Sequence, residues 1–258
     1  MKILYHYTKS ETLKKVALKD DIVIKSTRYD RYGNGEYTWI KEKASIAIKD
    51  ICKERKEPYD EDPLKFIPYT ISFCRNGYSK SMWKDYSENY QGIQLIFNYE
   101  KIRELSLSDS NPMVFMPCHY MNSKDNLKDI LMDIREKYYL PKSYSLQSDL
   151  TECSACLKQM NFKHEDEFRL LYPNHDMISA SYNEGNVVFE EHEDIEGLSE
   201  CGKELTYMQH FPKDILEGIV VGHLMPDEKM EELRQHLLLN GYESIANSIR
   251  RINVKEYI

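Results

Sequence analysis

No stretch of this sequence stays apolar long enough to cross a membrane, and the histidine in Met1-Lys2-Ile3-Leu4-Tyr5-His6-Tyr7 comes too early for the apolar core of a secretion signal. The expectation is a cytoplasmic protein with no membrane partner. In that compartment the six cysteines (52, 74, 118, 153, 156 and 201) are expected to be free thiols. Cys153 and Cys156 form a C-x-x-C, but no second C-x-x-C and no nearby H-x-H completes a tetrahedral shell, so no structural metal is expected there. A basic excess is missing too: 35 Lys and Arg stand against 43 Asp and Glu, a net charge of −8. That balance argues against broad, sequence-independent nucleic-acid binding and leaves room for a small basic patch. There is no Walker loop, G-x-G-x-x-G, G-x-S-x-G or H-E-x-x-H, which removes the commonest nucleotide-binding, hydrolase and zinc-protease classes. Internal repeats and low-complexity segments are lacking as well.

What is present is an ordinary globular composition with a conspicuous number of tyrosines, 20 in 258 residues. The length suffices for a full core without disulfides, and nothing marks a clean domain break. We therefore expect one α+β domain, with a motif-bearing core over 1–172 and 203–258 and a variable excursion over about 175–202. Alternation predicts strands over 2–8, 21–26, 67–74, 92–97, 113–120, 215–222 and 252–257, and a hairpin at 183–189. Helical spacing predicts helices from Ser10 to about Lys19, 38–55, 79–90, 122–139, 148–160 and 227–239. Thr27 to Tyr37, with its Gly33-Asn34-Gly35 turn, reads as a loop. Helices and strands are mixed without the steady βαβ alternation of a doubly wound sheet.

Four polar clusters punctuate this scaffold: His6-Tyr7-Thr8, Arg28 with its neighbours, Trp83 with Tyr86, and Glu165-x-Glu167-x-Arg169. If the last is a strand, Glu165, Glu167 and Arg169 share one face and Asp166, Phe168 and Leu170 the other. Two acids and an arginine on one face suit a polar cleft, because buried charges are costly unless paired. The same row also fits a solvated edge or a helix's first turn. Likewise His6 can be a plain strand residue, Arg28 can simply pair with Asp30, and Trp83 and Tyr86 can be core.

Taken in order, His-Tyr-Thr on the first strand, Ser81-Met-Trp-x-x-Tyr86 before Gly92-Ile-Gln-Leu-Ile-Phe, and Phe162-x-x-Glu165-x-Glu167-Phe-Arg169 resemble the bacterial family catalogued as domain of unknown function 2971. The likeness runs from about residue 3 to 172, with Ile215 to Gly222 a weaker continuation. Ser26-Thr-Arg-Tyr-Asp-Arg-Tyr departs from that family's pattern. The family in turn is similar, remotely, to ADP-ribosyltransferases. That resemblance implies a mixed or antiparallel split sheet with flanking helices and NAD as substrate, with His6 and Thr8 as first-strand contacts and Arg28 at the pyrophosphate. It further implies Trp83 or Tyr86 stacking on nicotinamide, Glu167 at the ribose with Arg169 holding it ionised, and Glu165 orienting or deprotonating an acceptor. These residues are expected to converge on one pocket. The activity implied is ADP-ribose transfer to a protein or nucleic acid, or NAD hydrolysis, in a toxin or phage-defence effector. The alternative is a non-catalytic ligand-binding or interaction module with the same cleft.

Overall fold

The computed structural model describes residues 2–31, 35–61, 66–107, 113–139, 145–172 and 206–257, leaving the side chains of 206–208 aside. Along the chain the strands and helices are β1 (Ile3–Thr8), α1 (Leu13–Val16), β2 (Asp21–Arg28), α2 (Glu36–Arg55), β3 (Tyr69–Cys74), α3 (Lys80–Tyr86), β4 (Ile93–Asn98), α4 (Tyr99–Leu107), β5 (Val114–Pro117) and β6 (His119–Met121). After these come α5 (Leu127–Tyr138), α6 (Leu146–Ser154), β7 (Leu157–Gln159), β8 (Glu167–Tyr172), β9 (Thr206–Pro212), β10 (Leu216–Val221), α7 (Asp227–Leu239), α8 (Glu243–Ser248) and β11 (Arg250–Arg251). Among the described residues nine strands form one sheet, antiparallel except for β10 with β11, and β6 and β7 form a small parallel pair. This is a mixed sheet with flanking helices in one domain. No described helix is long and apolar enough to cross a membrane.

The sheet splits at β3. One edge of β3 pairs with β8 along its whole length, while the other edge is shared: β2 pairs with Tyr69 and Thr70, and β1 reaches only Cys74. Two arms therefore leave the same edge, β1–β4–β10–β11 one way and β2–β9 the other. Paired residues share a face, so the register Tyr5↔Cys74↔Glu167 and Ser72↔Arg169 puts these side chains on one side of the sheet.

Helix packing follows the same alternation. On the opposite face Leu4, Ile71, Phe73, Leu95, Phe97, Phe168 and Leu170 form the largest core, which also takes in residues of α1, α4, α7 and α8. On the Glu167 face there are two separate cores. One joins α2, α5 and α6 to Met116 and Leu171; the other joins Tyr5, Tyr7 and Cys74 to Met82, Trp83 and Ile252. The ground between them is the split.

Several elements differ from sequence expectation. The helix expected from Ser10 is a 3-10 turn and one α-turn, because the chain must already bend into β2, where Ala17 bridges to Ile22. The helix expected over 148–160 stops at Ser154, since β7 pairs with β6 through His119↔Leu157. The long strand expected over 113–120 breaks after Pro117, which has no N–H to donate. The last strand is Arg250–Arg251, and 254–256 is a 3-10 turn capped by Asn253 and Glu256. The hairpin expected at 183–189 and the excursion at 175–202 lie outside the described residues.

Candidate active site

A cleft of about 330 Å³ opens at the split, within the range of ligand pockets. Its walls are Tyr5, His6 and Tyr7 of β1, Lys25 and Thr27 of β2, residues 70–74 of β3, and Met82 and Tyr86 of α3; its floor carries Glu36, Lys158, Glu165, Glu167 and Arg169.

His6 belongs to the opposite face of β1, opposite Leu95, yet its ring fills the gap left by the diverging strands. Its Nδ1 lies 2.8 Å from the Ser72 carbonyl. A carbonyl can only accept, so Nδ1 carries the hydrogen and Nε2 of the neutral ring is an acceptor. Burial lowers its pKa and keeps it neutral, although the Ser72 bond works the other way.

The floor is a buried ion cluster. Arg169, whose side chain is 0 % exposed, donates from Nε to Glu167 Oε1 at 2.7 Å and from Nη2 to Glu167 Oε2 at 3.3 Å, and also reaches Glu36 and the Ala155 carbonyl. Its guanidinium sits 5.2 Å above the Tyr29 ring. Lys158 lies 2.5 Å from Glu165 Oε2, 2.5 Å from Glu167 Oε2 and 3.4 Å from Glu36 Oε2. The Glu167 backbone N–H donates to the Tyr120 hydroxyl at 2.8 Å. Burial by itself would raise the Glu167 carboxyl, but the charges of Arg169 and Lys158 outweigh it and hold it down at about 2. Glu165 goes the other way: burial raises its carboxyl and Lys158 only partly offsets that. Tyr86, 41 % exposed at the mouth, has its phenol pushed up to about 12 by burial and the Glu165 charge.

The strand expected to hold all three charged residues begins only at Glu167. Glu165 ends a 3-10 turn, and Asp166 takes a left-handed conformation (φ 44°) that turns its carboxylate outward onto Arg75 at 2.6 and 2.9 Å. Both glutamates still reach the cleft, with Phe168 and Leu170 on the far face as the alternation requires.

Of the residues singled out in the sequence, the structure brings together His6, Tyr86, Glu165, Glu167 and Arg169. Thr8, Arg28 and Trp83 are elsewhere. Thr8 lies at the end of β1 against Gly92, where an added Cβ would meet its carbonyl at 2.4 Å. Arg28 forms a bidentate pair with Asp30 at 2.7 Å for both bonds. Trp83 is 0 % exposed, donates to the Gly77 carbonyl at 3.3 Å and meets Tyr7 edge-on at 5.3 Å, so no ligand can stack on it. Cys153 and Cys156 are buried, and burial raises the Cys153 thiol.

Glu36, Lys158 and Lys25 were not singled out. Glu36 opens α2 directly after Gly35 in a left-handed cap, a helix-start signal hidden in what read as loop. Lys158 sits between Leu157 and Gln159 in a stretch that read as helix. Lys25 gave no signal beyond its place on an alternating strand.

The profile of a family described as "Protein of unknown function (DUF2971)" matches residues 82–170, the segment from α3 to β8 that contributes Tyr86, Lys158, Glu165, Glu167 and Arg169. No curated protein matches the sequence. Among solved structures the fold is similar to Thermus sp. 2.9 DarT in complex with carba-NAD+, at 12 % identity and a TM-score of 0.39 over 100 % of this chain and 98 % of that one. It is similar also to Thermus sp. 2.9 DarT in complex with ADP-ribosylated ssDNA, at 13 % identity and a TM-score of 0.37 over 100 % of this chain and 96 % of that one. Likeness at this level carries nothing about chemistry, which has to come from the cleft.

Proposed function

We propose that the cleft binds NAD and that the protein breaks the nicotinamide–ribose bond, passing ADP-ribose to a macromolecule or to water. The observation that carries this reading is Glu167, a buried carboxylate held ionised at the floor of an open cleft by Arg169 and Lys158. Cleavage of an N-glycosidic bond develops positive charge on the ribose, and a fixed carboxylate beside it stabilises that charge without reorganising. Nicotinamide leaves as a neutral base with the electron pair of the broken bond. The acceptor's oxygen or nitrogen bonds the ribose carbon and gives its proton to Glu165, whose raised pKa suits that role.

The remaining residues supply binding. His6 Nε2 accepts from a ribose hydroxyl, and Tyr86, exposed at the mouth, stacks on nicotinamide. Lys25, which lines the cleft on the β2 wall, faces the diphosphate in place of Arg28, which does not line it. Beside the cleft an open basin is lined by Asn76, Ser79, Lys80, Ser81, Lys84, Tyr90 and His164. It shares α3 and the 160–165 turn with the cleft, and its lysines and aromatic ring favour a nucleic-acid acceptor over a basic protein. A toxin or phage-defence role fits such an activity.

Calorimetric titration with NAD tests the binding step: His6→Ala and Lys25→Gln should each weaken binding several-fold, and Arg28→Gln should not. Equal losses for all three would remove the assignment. A non-catalytic ligand-binding module is the second reading, favoured because both Glu167 oxygens already accept from Arg169 and Lys158. Nicotinamide release separates the two.

A further inference from the structure

Lysine is an uncommon residue to bury, because its ammonium is strongly hydrated and loses that hydration inside the protein. Lys158 is nevertheless 3 % exposed at its side chain, with Nζ between Glu165 and Glu167 and 5.3 Å above the Phe162 ring. Its place follows from local structure. The two-residue break after α6 starts β7, whose pairing with β6 fixes the backbone at Lys158↔Tyr120, and the 160–165 turn then folds Glu165 back over it. Because one nitrogen touches both carboxylates, their charges sit within about 5 Å of each other, the range in which like charges normally force one group to hold a proton. Among the described residues the cluster has three carboxylates and two cations, one carboxylate more than they neutralise. Arg169 forks between Glu36 and Glu167, and Lys158 is the cation bonded to Glu165.

We propose that Lys158 is a positioning residue that bridges the two glutamates, so that Glu167, which Arg169 also holds, stays ionised while Glu165, whose cation among the described residues is Lys158 alone, takes up and releases a proton. Its catalytic consequence rests on the NAD reading, whereas the ionisation pattern belongs to the ligand-free protein. An apolar residue of similar length in place of Lys158 would take a cation from both carboxylates at once, so both titrations report on the lysine. The shifts in the native protein agree with the division, since Glu167 is depressed and Glu165 raised.

The test is carboxyl titration of 13C-glutamate-labelled, NAD-free protein by NMR, alongside the pH profile of nicotinamide release. In the native protein Glu165 should titrate above the ordinary glutamate range and Glu167 below it. In Lys158→Met both should rise, and the acidic limb of the activity profile should move up by at least one pH unit. Lys158→Arg should return both titrations toward their native positions. A folded Lys158→Met with native titrations overturns the proposal. Should that variant not fold, Glu165→Gln decides: Glu167 must stay below the ordinary range with Lys158 still beside it, and a Glu167 titrating normally overturns the proposal. Native protein that shows the expected titrations but releases no nicotinamide leaves the role of Lys158 standing and removes the NAD reading.

Discussion

Arg169→Met tests the ion cluster directly. Methionine fills a similar volume but offers no donor, so the bonds to both Glu167 oxygens, to Glu36 and to the Ala155 carbonyl disappear together. Three carboxylates are then left around Lys158. Removing one partner of a buried ion pair costs about 3–5 kcal/mol, since the other charge stays buried without compensation. For a domain of this size each kcal/mol lowers Tm by roughly 2–4 °C, which predicts a fall of about 6–20 °C at pH 7. The pH dependence has a definite sign. Glu167 is depressed in the folded state, so its stabilisation is present above the ordinary glutamate pKa and is lost as pH falls toward about 2. Losing Arg169 removes the largest single cause of that lowering, so the deficit of the variant should be largest at pH 7–8 and should shrink toward pH 4. Scanning calorimetry of native protein, Arg169→Met and Arg169→Lys across that range reads both effects, with the lysine variant intermediate. A Tm within about 2 °C of native at pH 7, or a deficit that grows toward acid, would refute the account of the cluster.

Glu152 gives a second pH test. Burial raises its carboxyl to about 8, although hydrogen bonds from Tyr139 at 3.0 Å and Ser148 at 3.1 Å work against the rise. Its contribution is fully present below the ordinary glutamate pKa and lost as pH climbs through about 8, at up to roughly 1.4 kcal/mol per pH unit. Glu152→Gln should therefore gain on the native protein between pH 5 and 9 in thermal melts, and the opposite trend would contradict the burial argument. Trp83→Ala should cost about 3–5 kcal/mol by emptying a core position, read by denaturant unfolding. Tyr86→Ala should barely move stability and should weaken NAD binding roughly two- to tenfold, the value of one aromatic contact, and a reversed pattern would restore Trp83 as the stacking residue.

Alternation along the chain was enough to place the central strands, and it assigned Glu167 and Arg169 correctly to the face opposite Phe168 and Leu170. The long helices 38–55 and 227–239 were legible for the same reason, since their apolar spacing runs uninterrupted. Elements whose form depends on distant partners were not. The sequence from Leu157 to Gln159 is helical in pattern, and it becomes a strand only because β6 offers an edge. The break at Asp166 depends on Arg75, which lies 91 residues away in sequence. The site was legible where one side chain announces itself by charge in an apolar strand. It was not legible for Trp83 and Tyr86, which are three residues apart on one short helix: the packing of Tyr7 and Tyr257 makes Trp83 core, while Tyr86 faces the cleft. Glu36 and Lys158 join the site through a cluster assembled from four separate segments, and nothing in their local sequence expresses that.

Nicotinamide release from NAD, compared between native protein and Glu167→Gln, measures whether the ionised Glu167 stabilises positive charge on a ribose as nicotinamide departs. The amide keeps the shape and loses the charge, so release should fall by roughly 10²–10³-fold while the Kd for NAD changes little. A native protein that releases no nicotinamide, or a Glu167→Gln variant that releases it at the native rate, would contradict that role.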